Sequence, residues 1–305
     1  MYMRRSTRIG AGLLLGGALV WFLAEAQAVR AAAGEALALC AGAVVPALFP
    51  FLVVSALLVS LGVGSSSRLA GVMTPLFRLP GAAGAALILG LIGGYPIGAK
   101  TAADLYRQGR LTQEEARRLL TFCNNSNPVF LISVLGGVFG SVRAGVYLWL
   151  IHLLSALLTG LVFRGSGQRA VRRIVPRAKP APPLAPAGAF VAAVRESAAG
   201  MVSLCGFVTF FYVLARPLAA LGGHLAPALV GLVELFSLTP LLPPDRLGFV
   251  LAAGCSGWGG RSVLAQTAAA LEGTGLPVAP CLRGKALQGL LSALLAAALA
   301  PYALG

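Results

Sequence analysis

Long apolar runs recur along the whole chain: residues 9–24, 36–62, 82–98, 119–139 and 145–163, then 198–221, 226–242, 247–260 and 287–304. Each approaches the roughly 20 residues that cross about 30 Å of hydrocarbon as an α-helix, so the pattern predicts an all-α polytopic membrane protein. Between the two sets, Arg164, Arg169, Arg172, Arg173, Arg177 and Lys179 are mixed with prolines over residues 164–186, a composition that suits a solvated linker. The chain therefore divides into a first transmembrane half (1–163), a basic linker (164–186) and a second transmembrane half (187–305).

Positive charge flanks apolar segments here, and both the basic amino terminus and the basic linker are expected on the cytoplasmic side. An even number of crossings must then separate them, yet five apolar segments do. Residues 36–62 are long for one span and contain Pro46 and Pro50, each lacking a backbone donor, so they are expected to fold back as a re-entrant hairpin. Residues 9–24, preceded by Arg4, Arg5 and Arg8, are expected to be an uncleaved first helix.

Composition sharpens this picture. With 58% hydrophobic and 11% charged residues, the chain cannot build a water-soluble surface. The net charge of +15 would suit nucleic acid, but the basic residues form no single face interleaved with aromatics, so no nucleic-acid partner is expected. Cys40, Cys123, Cys205, Cys255 and Cys281 are scattered, with no disulfide framework and no CxxC metal site. No Ser/His/Asp arrangement, HExxH string or GxxxxGK[ST] loop is present, so neither an enzyme nor a cofactor is expected.

Candidate chemistry sits where polar or helix-breaking strings interrupt the apolar runs. In GGYPIGAK (93–100), Gly94, Pro96 and Gly98 would open the helix, Tyr95 would stack or hydrogen-bond, and Lys100 would meet an anionic group. A plain helix end with Lys100 snorkelling to headgroups explains the same string. In CSGWGGRS (255–262), Gly257, Gly259 and Gly260 are joined by Trp258 and Arg261; the alternative is a glycine-rich packing face with an interfacial tryptophan. CNNSNP (123–128) places Asn124, Asn125, Ser126 and Asn127 in an apolar run, where such groups must satisfy backbone, meet each other or bind a solute. A helix cap with Pro128 at the first helical position accounts for part of that string.

Two isolated ionisable residues remain. Glu234 is either a proton or cation coupling site or a helix cap, and His152 reads as a satisfied packing residue. Glu35 and Glu196 read as complements to helix N-termini. Glu35, Phe49, Gly93, Gly98 and Lys100 recur 161 positions later as Glu196, Phe210, Gly254, Gly259 and Arg261, which suggests two related halves and, with opposite orientations, inverted repeats with broken helices.

The strings VVPALFPF, GGYPIGAKTAADLYRQGRLTQEEARRLLTFCNNSNPVFL, GLVEL and GGRSVLAQTAAALEGTGLPVAPCLRGKAL resemble the YlbJ-type sporulation integral membrane proteins, grouped with proteins carrying the nucleoside recognition or Gate domain. The resemblance implies a multi-spanning protein of the bacterial cytoplasmic membrane, associated with spore cortex formation, with parts similar to concentrative nucleoside transporters. GLVELFSLTP departs from it by lacking the Thr-Asn-Gly continuation of the Glu motif. The expected function is transporter-like binding or movement of a small polar solute, nucleoside-like or a cell-envelope precursor. The competing reading is a scaffold that recruits envelope enzymes. Expected partners are the lipid bilayer and that solute, with homo-oligomer formation left open.

Overall fold

The computed structural model describes residues 5–60, 67–165, 186–223 and 225–305. The described residues are helical with no strand, and four helices are long and apolar enough to cross a bilayer: Ala26–Leu58, Val142–Val162, Ala187–Ala219 and Ala279–Leu304. Most of the basic linker lies outside the described residues.

The first half comprises α1 (Arg5–Ala24), α2 (Ala26–Leu39), a wide π turn (Cys40–Val44), α3 (Val45–Ser60), α4 (Ser67–Phe77), α5 (Ala83–Gly93), α6 (Ile97–Arg107) and α7 (Gln113–Leu119). A second π segment (Phe130–Leu135), α8 (Gly136–Val138) and α9 (Val142–Val162) complete it. The second half contains α10 (Pro186–Ala219), α11 (Leu225–Val233), α12 (Leu235–Leu238), α13 (Arg246–Trp258), α14 (Gly260–Ala270) and α15 (Ala279–Leu304).

Among the described residues the hairpin expected at 36–62 does not form: residues 36–58 belong to one continuous helical run, Ala26–Leu58, and residues 61 and 62 lie outside the described residues. The π turn explains why the prolines do not break it: the Val45 N–H reaches back five residues to Cys40 O, a local adjustment that re-registers the ladder just before Pro46. The fold-back occurs one segment later. Helices α5 and α6, eleven residues or about 16 Å each, pack against one another around the GGYP break.

Two groups of helices frame the interior. Helices α9, α13 and α15 pack through small residues, with Ala252, Ala253, Ala296, Ala300 and Ala303 buried, so their backbones approach closely. The run α2–α3 packs on α10 through Cys40, Val44, Leu48, Met201, Leu204 and Val208. Large apolar side chains face outward instead, among them Leu19, Val202, Leu290 and Leu294. In water such a surface would aggregate; against lipid it carries no penalty.

Helix α7 has a complete capping box, in which Thr112 Oγ1 accepts from Glu115 N at 3.2 Å and Glu115 Oε2 from Thr112 N at 2.7 Å. This cap anchors the arm that leads to residues 123–128. Thr112→Ala should lower stability by about 1 kcal/mol, read as a reduced thermal midpoint of the purified protein. An unchanged midpoint would mean the arm is held by its packing alone.

Candidate functional site: a closed polar chamber

Three interruptions in the helices meet near the centre of the molecule. The turn after α5 brings Tyr95, the extended stretch before the second π segment brings Ser126 and Asn127, and the junction of α11 and α12 brings Glu234. With Ser262 and Gln266 of α14 they line a cavity of about 20 Å3. It holds one water-sized sphere and no more.

Each break has a local cause. Gly94 adopts φ +81° and lies so close to Asn127 that a Cβ would fall 2.9 Å from the Asn127 Cβ. The Asn127 amide donates to Ile92 O at 3.0 Å, a carbonyl that the end of α5 leaves open, while its Oδ1 accepts from Val129 N at 2.7 Å. Asn127 thus caps the helix that begins at Pro128 and also closes the end of α5. Glu234 caps α12, with Oε2 accepting from Ser237 N at 2.6 Å and from Ser237 Oγ at 2.9 Å. Gly259 and Gly260, both at φ +83°, redirect the chain between α13 and α14. At Gly260 a Cβ would lie 2.9 Å from Val233 O, so this bend packs directly on the Glu234 junction.

Behind the chamber runs a second polar cluster. Tyr95 Oη donates to Ser256 O at 2.7 Å, and Lys285 Nζ lies 3.4 Å from Tyr95 Oη and 4.8 Å from the ring centroid. Lys285 Nζ donates to Gln288 Oε1 at 2.9 Å, and Gln288 Nε2 donates to Asn125 Oδ1 at 3.0 Å. His152 Nε2 accepts from Ser126 N at 3.1 Å and sits 3.3 Å from Gln288 Nε2; its Nδ1 is buried without a partner. Ser155 and Ser292 extend the seam, their hydroxyls 2.8 Å apart. Lys285 is 1% exposed, and none of the three ion pairs among the described residues includes it.

Larger cavities lie on either side of the chamber. One of about 510 Å3 shares Leu48, Phe130 and Phe236 with it and extends to Glu35 and Tyr212. Another of about 140 Å3 shares Leu204 with it and extends to Lys100, Asp104 and Glu196. Their order is the same along both long helices: on α2–α3 from Glu35 through Leu48 to Ala56, and on α10 from Tyr212 through Leu204 to Glu196. An ion pair stands beside each, Arg216 with Glu35 at 3.1 Å and Lys100 with Glu196 at 3.0 Å. A further cavity, about 790 Å3 and lined by Phe22, Phe49, Met201 and Phe210 among others, is apolar and suits acyl chains rather than a polar solute.

Several sequence expectations change accordingly. Tyr95, Ser126, Asn127 and Glu234 line the chamber, whereas Gly94, Gly259 and Gly260 shape its walls. Pro96 and Lys100 line the outer cavity, and Lys100 is exposed, because its long side chain extends toward Glu196 on α10. Arg261 is also exposed and does not line the chamber. Trp258 donates Nε1 to Leu232 O at 3.0 Å at the rim of α11. Gly98 seats the Cys123 carbonyl and Gly257 packs on Ser292, both structural roles. Asn124 donates Nδ2 to Thr267 Oγ1 at 2.9 Å while its buried Oδ1 has no partner, and Asn125 donates to Phe122 O at 2.9 Å and accepts from Gln288; neither lines the chamber. Glu35 and Glu196 sit inside α2 and α10 in ion pairs, not at helix N-termini.

Sequence reasoning missed Lys285 and Gln288 and favoured packing over a functional role for His152. The last apolar segment was expected to start at residue 287, but α15 starts at Ala279 and places Lys285 inside the span. A signal was present: Lys285, Gln288 and Ser292 on α15, and His152, Ser155 and Thr159 on α9, recur at i, i+3 and i+7, one face of each apolar helix.

Over 132 residues the chain is 37% identical to the sporulation integral membrane protein YlbJ of Bacillus subtilis (strain 168). The match covers 41% of this chain and about a third, 32%, of that relative's length. No family model matches the chain, and no solved structure matches it. Four bilayer-length apolar helices and likeness to an integral membrane protein make this a multi-pass membrane protein.

Proposed function

We propose that this chain is a transporter-like carrier that binds a small polar solute between its two halves and moves it by alternating access. The observation that carries the reading is the aligned series of outer cavity, closed chamber and outer cavity along α2–α3 and α10, with shared side chains as the partitions. In a bilayer, broken backbone is tolerated only where it is buried in protein or lines a wet path, and three breaks meet at the chamber. The chamber is narrow because Leu48, Phe130, Phe236 and Leu204 close on it, so this conformation is an occluded one; rocking of the halves would widen it on one side at a time.

Inverted repeats fit this plan. Tyr95 and Ser256, which touch through the 2.7 Å hydrogen bond, are separated by the same 161 positions that relate the recurrent residues of the two halves. Two of the three exposed ion pairs among the described residues, Lys100 with Glu196 and Arg216 with Glu35, also join one half to the other, where they would break and reform cheaply. Likeness to a sporulation membrane protein supports a role in sporulation, in the bacterial cytoplasmic membrane, with a nucleoside-like molecule or a cell-envelope precursor as solute. No covalent step is required.

Reconstitution in liposomes with a panel of nucleosides and cell-wall precursors tests the reading. Saturable uptake is expected from the intact protein, and Ser262→Leu, which fills the chamber, should abolish it while the protein still purifies as a folded species. Absence of both saturable uptake and saturable binding in the intact protein would favour a membrane scaffold that recruits envelope enzymes.

A further inference from the structure

We infer that the closed chamber is a binding site for a monovalent cation of about sodium size, held by side-chain oxygens of Glu234, Gln266, Ser126 and Ser262. This rests on the chamber being the occluded centre of a carrier and names the ion that would occupy it.

Charge is the first argument. Glu234 is 1% exposed, and no ion pair among the described residues includes it. An isolated carboxylate in a membrane interior is costly unless a cation or a proton neutralises it. The chamber lining contains no Lys, Arg or His, and Lys285 does not line it. A single positive charge would balance the site, whereas a divalent ion would leave a net charge in a low dielectric.

Unused acceptor capacity is the second. Gln266 is 95% buried by its 5% exposure, and its Oε1 has no hydrogen-bond partner. A buried amide oxygen left open forfeits its hydration without return, a cost that a bound cation would offset. Size and ligand type agree: about 20 Å3 excludes an organic solute but admits one dehydrated ion, and carboxylate, amide and hydroxyl oxygens are hard donors suited to hard cations.

The test is 22Na+ binding to the purified full chain in nanodiscs, with choline replacing Na+ at fixed ionic strength. Wild-type protein should bind 22Na+ saturably and gain thermal stability with Na+. Gln266→Leu should weaken affinity by roughly tenfold or more, Glu234→Gln should abolish binding, and Arg261→Met, outside the chamber, should bind as wild type. No saturable binding by folded wild-type protein overturns the inference, as does unchanged affinity in Gln266→Leu. Stabilisation that follows pH and ignores Na+ also overturns it, assigning a proton to Glu234. Because the readout is binding, Na+ binding without any solute uptake would sink the carrier reading and leave the cation site standing.

Discussion

Alanine at Gly90 or Gly98 should be among the most destabilising single substitutions in the protein. A Cβ at these positions would lie 1.8 and 1.9 Å from Cys123 O, an approach no real Cβ makes. The obstructing atom is backbone, and the α5–α6 hairpin closes around it, since Gly90 and Gly98 also face each other across that hairpin. Relief would require the hairpin to part from the segment that carries Ser126 and Asn127. Overpacking of this kind costs roughly 3 kcal/mol or more. Gly34→Ala in α2, where nothing lies within 4 Å, is the control and should be neutral or stabilising by up to about 1 kcal/mol. Thermal unfolding in detergent would read the difference; equal midpoints for Gly98→Ala and Gly34→Ala would show that the hairpin does not seat the Cys123 carbonyl as described.

Lys285→Met should separate function from stability. A buried ammonium held only by Tyr95 Oη, Gln288 Oε1 and an aromatic face is poorly compensated for its lost hydration. Methionine keeps the length and removes the charge. Replacing buried charge by apolar bulk is often neutral or stabilising by about 1–4 kcal/mol, so the variant should purify with an equal or higher thermal midpoint. Uptake should nevertheless be lost, because Lys285 touches Tyr95 at the chamber wall, beside its bond to Ser256 O, and links it to Gln288, His152 and Asn125. Wild-type uptake by a folded Lys285→Met protein would reduce the cluster to a packing feature. A collapsed midpoint would show instead that the cation is structural.

The two sets of residues in these predictions differ in how they were found. GGYPIGAK and CNNSNP stand out in the chain because helix breakers and amides are rare in apolar runs, and their partners in the structure explain why they are there. Lys285 did not stand out, since a charge near the start of an apolar run reads as a flank until the helix is seen to begin two turns earlier at Ala279. Lys100 and Arg261 drew attention as cations beside breaks, yet both reach outward, as long charged side chains do when water or an acidic partner is within range.

By itself the sequence determined that this is a helical membrane protein, and where its helices are interrupted. Those properties depend on the transfer of each residue from water to hydrocarbon and on backbone donors lost at Pro and freed at Gly, which are local quantities. Only the tertiary structure decided that Pro46 and Pro50 are absorbed into a continuous helix, that the fold-back lies at α5–α6, and that Tyr95, Ser126, Asn127, Glu234, Ser262 and Gln266 share one chamber. The physical reason is that in lipid a helix gains little by burying one apolar face rather than another. Which face turns inward is set by close packing at small residues and by hydrogen bonds between helices, and neither belongs to any one segment.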